Sequence, residues 1–340
     1  MTVNEIKSLI QTEPYDFLRT NPHLGDNIIL LGLGGSHAYG TNIDTSDVDI
    51  RGIAVNSKEE ILTGQNFEQV TDTPTDTTIY SLSKIIKLLS NCNPNTIEML
   101  GLEPWQYLHI APAGQQILDN RKIFLSKKAV QSFGGYANSQ LRRLSNKSNE
   151  FVSQAKQEEH ILHSIENAKY TFVDKYFEHD SDSIKLYIDD AINPEMEKEI
   201  FMDINLTHYP LRDYKGMYSE MSNIIKDYAS IGKRNKNATI HDKINKHAMH
   251  LIRLYIMAID ILEQQAIITY RQNEHDLLMD IRNGRYFDDN SQPTADFNEL
   301  LNKLEARFEK AKSITTLPDV PDYAAINKLL MSINEQVVKG

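Results

Sequence analysis

Apolar positions along this chain fall into two registers. In the first hundred residues they come as short runs of strand length. Asn27–Leu33 (NIILLGL) is continuously apolar and bounded by Asp26 and Gly34-Gly35, the pattern of a buried strand. Asp47–Ile53 (DVDIRGI) alternates: Val48, Ile50 and Gly52 share one face, and Asp47, Asp49 and Arg51 the other. Thr77–Tyr80 (TTIY) is a third short strand, rich in β-branched residues. Ser81 caps a helix over LSKIIKLLS, and Pro94 starts another over PNTIEMLGL. Short helical patterns, broken near Pro14 and Pro22, precede all of these.

Beyond about residue 105 the period lengthens to that of helices. Residues 111–178 read as helical throughout, and long helical patterns return at 211–230, 240–264, 294–315 and 322–337. Between them, 184–206 holds two β-like runs, IKLYI and IFMDINL. GKRNKN (232–237) and NSQP (290–293) read as exposed loops. The expected architecture is an α/β catalytic domain with a mixed sheet over residues 1–110. A mainly helical domain follows over 111–340, with a small β insertion near 184–206 and a soft boundary at 105–125.

Composition narrows the functional classes. Of 340 residues, 36 are basic and 47 acidic, a net charge of −11 that excludes a uniformly basic nucleic-acid coat. The charge is uneven, however. Residues 121–148 carry +7 with no carboxylate and 226–253 carry +5, so the rest carries −23. Such islands can grip one polyanionic end, with Phe133 and Tyr136 either stacking bases or, at helical spacing, filling the core. A hydrophobic content of 40% suffices for a sizeable core. The N-terminal segment lacks the basic and apolar blocks of a signal peptide, and no apolar run reaches membrane-span length. The single cysteine, Cys92, excludes an intramolecular disulfide and thiolate-cluster metal sites. A cytoplasmic protein without membrane association is expected, and oligomeric state is not legible.

The chemistry concentrates in Leu30–Ile53, LLGLGGSHAYGTNIDTSDVDIRGI. A strand runs into Gly34-Gly35-Ser36. Gly35 lets backbone approach a phosphate, and Ser36 offers a hydroxyl and an amide at a helix start. Asp47 and Asp49, two apart on a strand, point the same way and suit Mg²⁺, and two such ions can clamp a phosphoryl-type displacement. Gly32-x-Gly34 does not complete a dinucleotide fingerprint, because His37 stands at the third glycine position. Downstream, Lys246, His250 and Arg253 recur at i, i+4 and i+7 of a helix over Thr239–Leu262, a stripe suited to a phosphate or to a solvated face. Arg271 and Arg282 are candidate further cations.

Gly35-Ser36, ten residues, then Asp47-Val48-Asp49 resembles the signature of the DNA polymerase β-type nucleotidyltransferase superfamily. The resemblance implies that the Gly-Ser pair holds the nucleotide's terminal phosphates and that the paired aspartates hold two metals. It also implies a third carboxylate at a later strand, which completes the site and assists deprotonation of the attacking group. Asp76 is the choice for it, ahead of Asp72 and then Glu98. The whole chain resembles a bacterial and phage subgroup found beside RNA-repair ligases. The matching pieces are GSHAYGT (35–41), SDVDIRG (46–52), DTTIYSLSKIIKLL (76–89), NPNTIEML (93–100), KHAMHLIRL (246–254) and LPDVPDYAAINKLL (317–330).

The resemblance implies Mg²⁺-dependent (or Mn²⁺-dependent) transfer of a nucleoside monophosphate from an NTP to a hydroxyl, with pyrophosphate leaving. An RNA end is the first choice of acceptor, then a protein side chain, then a small molecule. The alternative from another class is a non-catalytic RNA- or partner-binding scaffold.

Overall fold

The computed structural model describes residues 1–148, 184–190, 198–205, 239–288 and 292–340, with single residues between 192 and 222. The chain opens with α1 (Val3–Leu9), closed by a capping box between Thr2 and Glu5, and α2 (Phe17–Thr20). Then come β1 (Ile28–Leu33), α3 (Gly35–Tyr39), β2 (Ile50–Ala54), α4 (Lys58–Thr63), β3 (Gln69–Asp72) and β4 (Thr77–Ser81). α5 (Leu82–Ser90), α6 (Pro94–Ile97), β5 (Tyr107–Ile110), α7 (Pro112–Asp119) and α8 (Lys128–Ser148) follow. β6 (Ile184–Asp190), β7 (Lys198–Ile204), α9 (Thr239–Gln264), α10 (His275–Arg282), α11 (Ala295–Ile314) and α12 (Tyr323–Lys339) complete the described elements.

The main sheet is mixed, ordered β3-β4-β2-β1-β5. β1 pairs antiparallel with both β2 and β5, β2 runs parallel to β4, and β3 pairs antiparallel with β4. β1 is buried at every position, as its unbroken apolar sequence requires of a strand covered on both faces. β4 hands directly to α5: Ser81 ends the strand and its hydroxyl accepts the Lys84 amide, which caps the helix. The sequence pattern thus finds the three central strands but not β3 and β5. Both are four-residue edge strands, too short for a period-2 signal.

β2 also starts later than its alternation suggests, at Ile50 rather than Asp47. Its partner β1 ends at Leu33, where Gly34 turns to become the N-cap of α3. Beyond that point the only ladder-like bond is from the Gly34 amide to the Asp49 carbonyl, at 2.8 Å. Asp47–Asp49 are therefore an arm leading into the strand.

The chain divides into two compact units. One comprises Met1–Leu141, Asn245–Asp288 and Pro293–Gly340; the other comprises Arg142–Ile244 and Asp289–Gln292. This division departs from a linear cut at 110, because most of α9 and all of α10 to α12 belong with the sheet. The reason is α9: every residue from Leu251 to Leu262 is buried, so this helix is a core element of the first unit. In the second unit β6 and β7 form an antiparallel pair, matching the two β-like runs. The helical readings over 149–178 and the loop 232–237 lie outside the described residues, as do most of 211–230 and part of the loop 290–293. Among the described residues, no helix is long and apolar enough to cross a membrane.

Candidate active site

Three strand ends meet at the site. β1 delivers Gly34-Gly35-Ser36, the arm before β2 delivers Asp47 and Asp49, and the turn before β4 delivers Asp76. Gly35 has φ +53°, and a Cβ there would overlap Asp49 Oδ2. The Asp49 carboxylate thus lies directly on the Gly35 Cα, and only glycine satisfies both the left-handed backbone and the contact.

Asp76 also has a positive φ, 44°, a conformation that aspartate tolerates better than most residues. Its carbonyl accepts the Ile50 amide at 3.2 Å and Arg51 Nη1 at 2.6 Å, which ties the turn to β2.

The Asp49 and Asp76 carboxyl groups lie close enough to shift each other's protonation. Burial, then the hydrogen bond to and the charge of Asp76, push the Asp49 carboxyl up to about 7. Asp76 is correspondingly held low, first by the bond from Asp49. Arg51 stands over both, with Nη2 at 3.2 Å from Asp76 Oδ1 and 3.6 Å from Asp49 Oδ1. Lys246 acts electrostatically on both carboxylates from an exposed position on α9. Two facing carboxylates, one raised first by burial and then by its neighbour, are a fitting donor set for a hard divalent cation. Asp47 is an exposed carboxylate two residues away, and among the described residues no cluster of three such ligands is preassembled.

The other carboxylates have different tasks. Asp72 accepts the Thr75 amide (3.0 Å) and hydroxyl (2.7 Å), closing the β3–β4 turn. Glu98 is buried; it accepts the Tyr39 hydroxyl at 2.6 Å and Arg253 Nη1 at 3.3 Å.

The Lys246–His250–Arg253 stripe descends from solvent into the core instead of presenting one cationic face. Arg253, only 4% exposed, lies 3.6 Å over the ring of Tyr39. His250 meets the same ring edge-on at 6.3 Å. Burial, then the charges of Arg253 and Lys246, hold the His250 imidazole well below the ordinary range and so neutral. Arg271 is buried against Asp260 at 2.5 Å. Arg282 donates to the Thr41 carbonyl at 2.8 Å and reaches the Ser46 hydroxyl at 3.4 Å.

These contacts form a frame beneath α3, the five-residue helix that carries Ser36. Gln106 Nε2 donates to the His37 and Ala38 carbonyls at 3.0 and 2.9 Å. The Arg271 amide donates to the Tyr39 carbonyl at 3.0 Å, and Arg282 holds the loop after it. So short a helix has no stability of its own; its carbonyls are satisfied by residues far away in sequence. Sequence reasoning missed this role for Gln106 and Glu98, and missed Arg51 as a cation of the site, although the alternating run in the sequence already grouped Arg51 with Asp47 and Asp49.

In the first basic island, Lys127 pairs with Asp319 at 2.8 Å, and Lys128 bonds Asn91 and the Tyr323 hydroxyl. Lys127 thus holds the segment that leads into α12, and Lys128 holds its first residue. Phe133 is a core residue, and Tyr136 accepts a bond from Asn95 at 2.9 Å.

Residues 6–169 match the family model described as the RNA repair pathway DNA polymerase beta family. No curated protein and no solved structure matches the chain.

Proposed function

We propose that this chain, whose residues 6–169 match the family model described as the RNA repair pathway DNA polymerase beta family, is a nucleotidyltransferase that transfers a nucleoside monophosphate from an NTP to the hydroxyl of an RNA end. The observation that carries the reading is the convergence of Gly35, Asp49 and Asp76 at three strand ends. Asp49 and Asp76, with Asp47 beside them, are the residues that would hold Mg²⁺ (or Mn²⁺). When bound, that ion supplies charge neutralisation at the phosphoryl oxygens.

The chain's own residues do the rest. Gly35 lets the backbone come close to the β- and γ-phosphates, and Ser36 offers them a hydroxyl and an amide. Lys246, exposed and within electrostatic reach of the carboxylates, adds a point charge to the same phosphates. Arg253 and His250 support this end of the site through Tyr39. The acceptor hydroxyl attacks the α-phosphorus in line, its proton passes to Asp76, and pyrophosphate leaves. Catalysis is then chiefly positioning and neutralisation.

Incubation with each α-labelled NTP, Mg²⁺ and cellular RNA tests this. Label should enter RNA and disappear in the Asp47→Ala/Asp49→Ala double variant. Transfer that survives the double change would place the chemistry elsewhere, and label found on protein alone would replace the RNA acceptor by a side chain.

A further inference from the structure

Trp105, the chain's one tryptophan, is 49% exposed on a rigid mount. Pro104 fixes the backbone on one side of it. On the other, Gln106 is fully buried and bonded to the His37 and Ala38 carbonyls. The indole meets Tyr270 edge to face, centroids 5.2 Å apart and planes at 81°. Tyr270 in turn lies on Gly40, where a Cβ would overlap its ring. Tyr270 is therefore seated on the C-terminal end of α3 and carries Trp105 against it; Ser36, near the other end of the helix, lies four residues before Gly40, about 6 Å at 1.5 Å per residue.

A cavity of about 580 Å³ is lined by Pro104, next to Trp105 in the chain, by Ile268, two residues before Tyr270, and by Tyr107 and Ile110 of the edge strand β5. Its floor is apolar, with Leu102, Tyr107 and Ile267. Arg121 and Lys122 stand exposed at its rim and make no ion pair among the described residues. Glu103 and Asp119 share the rim, Asp119 being held by Gln115 Nε2 at 2.8 Å.

A half-exposed indole adjoining a cavity with unpaired cations at its rim is the pairing that recognises single-stranded nucleic acid: bases stack and phosphates find charge. We propose that Trp105 and Tyr270, with Arg121 and Lys122, receive the single-stranded RNA acceptor and lead its end toward Ser36. This surface rests on the RNA reading of the acceptor and adds how that acceptor is held. The base of the NTP is the competing occupant, and quenching by NTP alone is the outcome that would assign the rings to it.

Because the chain has one tryptophan, its emission reports on this residue alone. The intact protein is titrated with a ten-residue oligouridylate, without NTP, at several salt concentrations. Saturable quenching that weakens with salt is expected. In the Arg121→Ala/Lys122→Ala variant the log–log salt slope should fall by about 1.4. Trp105→Ala should lower affinity for a labelled oligouridylate about five- to hundredfold. Its thermal unfolding and its KM for NTP should stay as in the parent, while KM for RNA rises. Glu103→Gln should tighten binding.

Oligouridylate that binds without changing the emission would overturn the proposal, as would equal affinity in Trp105→Ala or the same quenching by NTP alone. RNA that is labelled in the transfer assay while the emission stays constant sinks this surface and leaves the RNA acceptor standing. Absence of any RNA binding or labelling sinks both.

Discussion

Gly35 and Asp76 show how much of this site depends on single backbone conformations. Both occupy left-handed φ, one because no side chain fits against Asp49, the other because the turn into β4 must aim a carboxylate back at Asp49. Gly35→Ala would collide with the Asp49 carboxylate and strain the turn, so transfer should fall about 100-fold or more, about 2.7 kcal/mol in barrier. Single-turnover kinetics on the purified variant would show it. Asp76→Asn keeps the tolerated backbone but removes the carboxylate, and the same assay should register a loss of about 10²–10³-fold, that of removing a key electrostatic group. Asp72→Asn is the control: its carboxylate only closes a turn, so the cost should be about 1 kcal/mol of stability with transfer retained. Equal losses at both positions would contradict the assignment of Asp76 over Asp72.

Among the elements, α3 is the one most shaped by its surroundings. Five residues cannot form a stable helix in isolation, and the frame of Gln106, Arg271, Arg282 and the Tyr39–Glu98–Arg253 cluster supplies what the helix lacks. Within that cluster Arg253 and Glu98 are both almost fully buried, so removing the arginine alone strands a carboxylate. Arg253→Met should therefore cost about 3 kcal/mol or more in urea unfolding. Adding Glu98→Gln should recover a large part of that loss; two additive losses would show that the pair is not coupled. The same packing explains why the cationic stripe on α9 reads ambiguously in sequence. Spacing puts Lys246, His250 and Arg253 on one side of the helix, but what covers the inner part of that side is Tyr39 of α3, far earlier in the chain.

For the molecule as a whole, buried neutral groups set the response to pH and to reagents. His37 and His250 both have imidazoles held below the ordinary value, by burial first. The unfolded chain takes up protons at these residues below about pH 6.5, where the folded chain does not, so their contribution to stability shrinks as pH falls below that point. The thermal midpoint of the parent should drop more steeply between about pH 7 and pH 5 than that of His250→Asn; parallel curves would refute the linkage. Cys92 is fully buried and its thiol is pushed up by burial, so a maleimide should label the native chain slowly and one thiol promptly after denaturation.

Local elements and the chemistry they carry are legible in the residues alone. Unbroken apolarity marked β1, and Gly35-Ser36 followed by two closely spaced aspartates marked where the candidate site lies. Those signals are local, arising from side-chain period and backbone freedom within a few residues. Which carboxylate joins Asp49 was a matter for the folded chain, because Asp72 and Asp76 differ only in what the β3–β4 turn does with them. So was the return of α9 to the sheet and the support its arginine gives Tyr39, because burial and ion pairing depend on partners brought together by long-range packing.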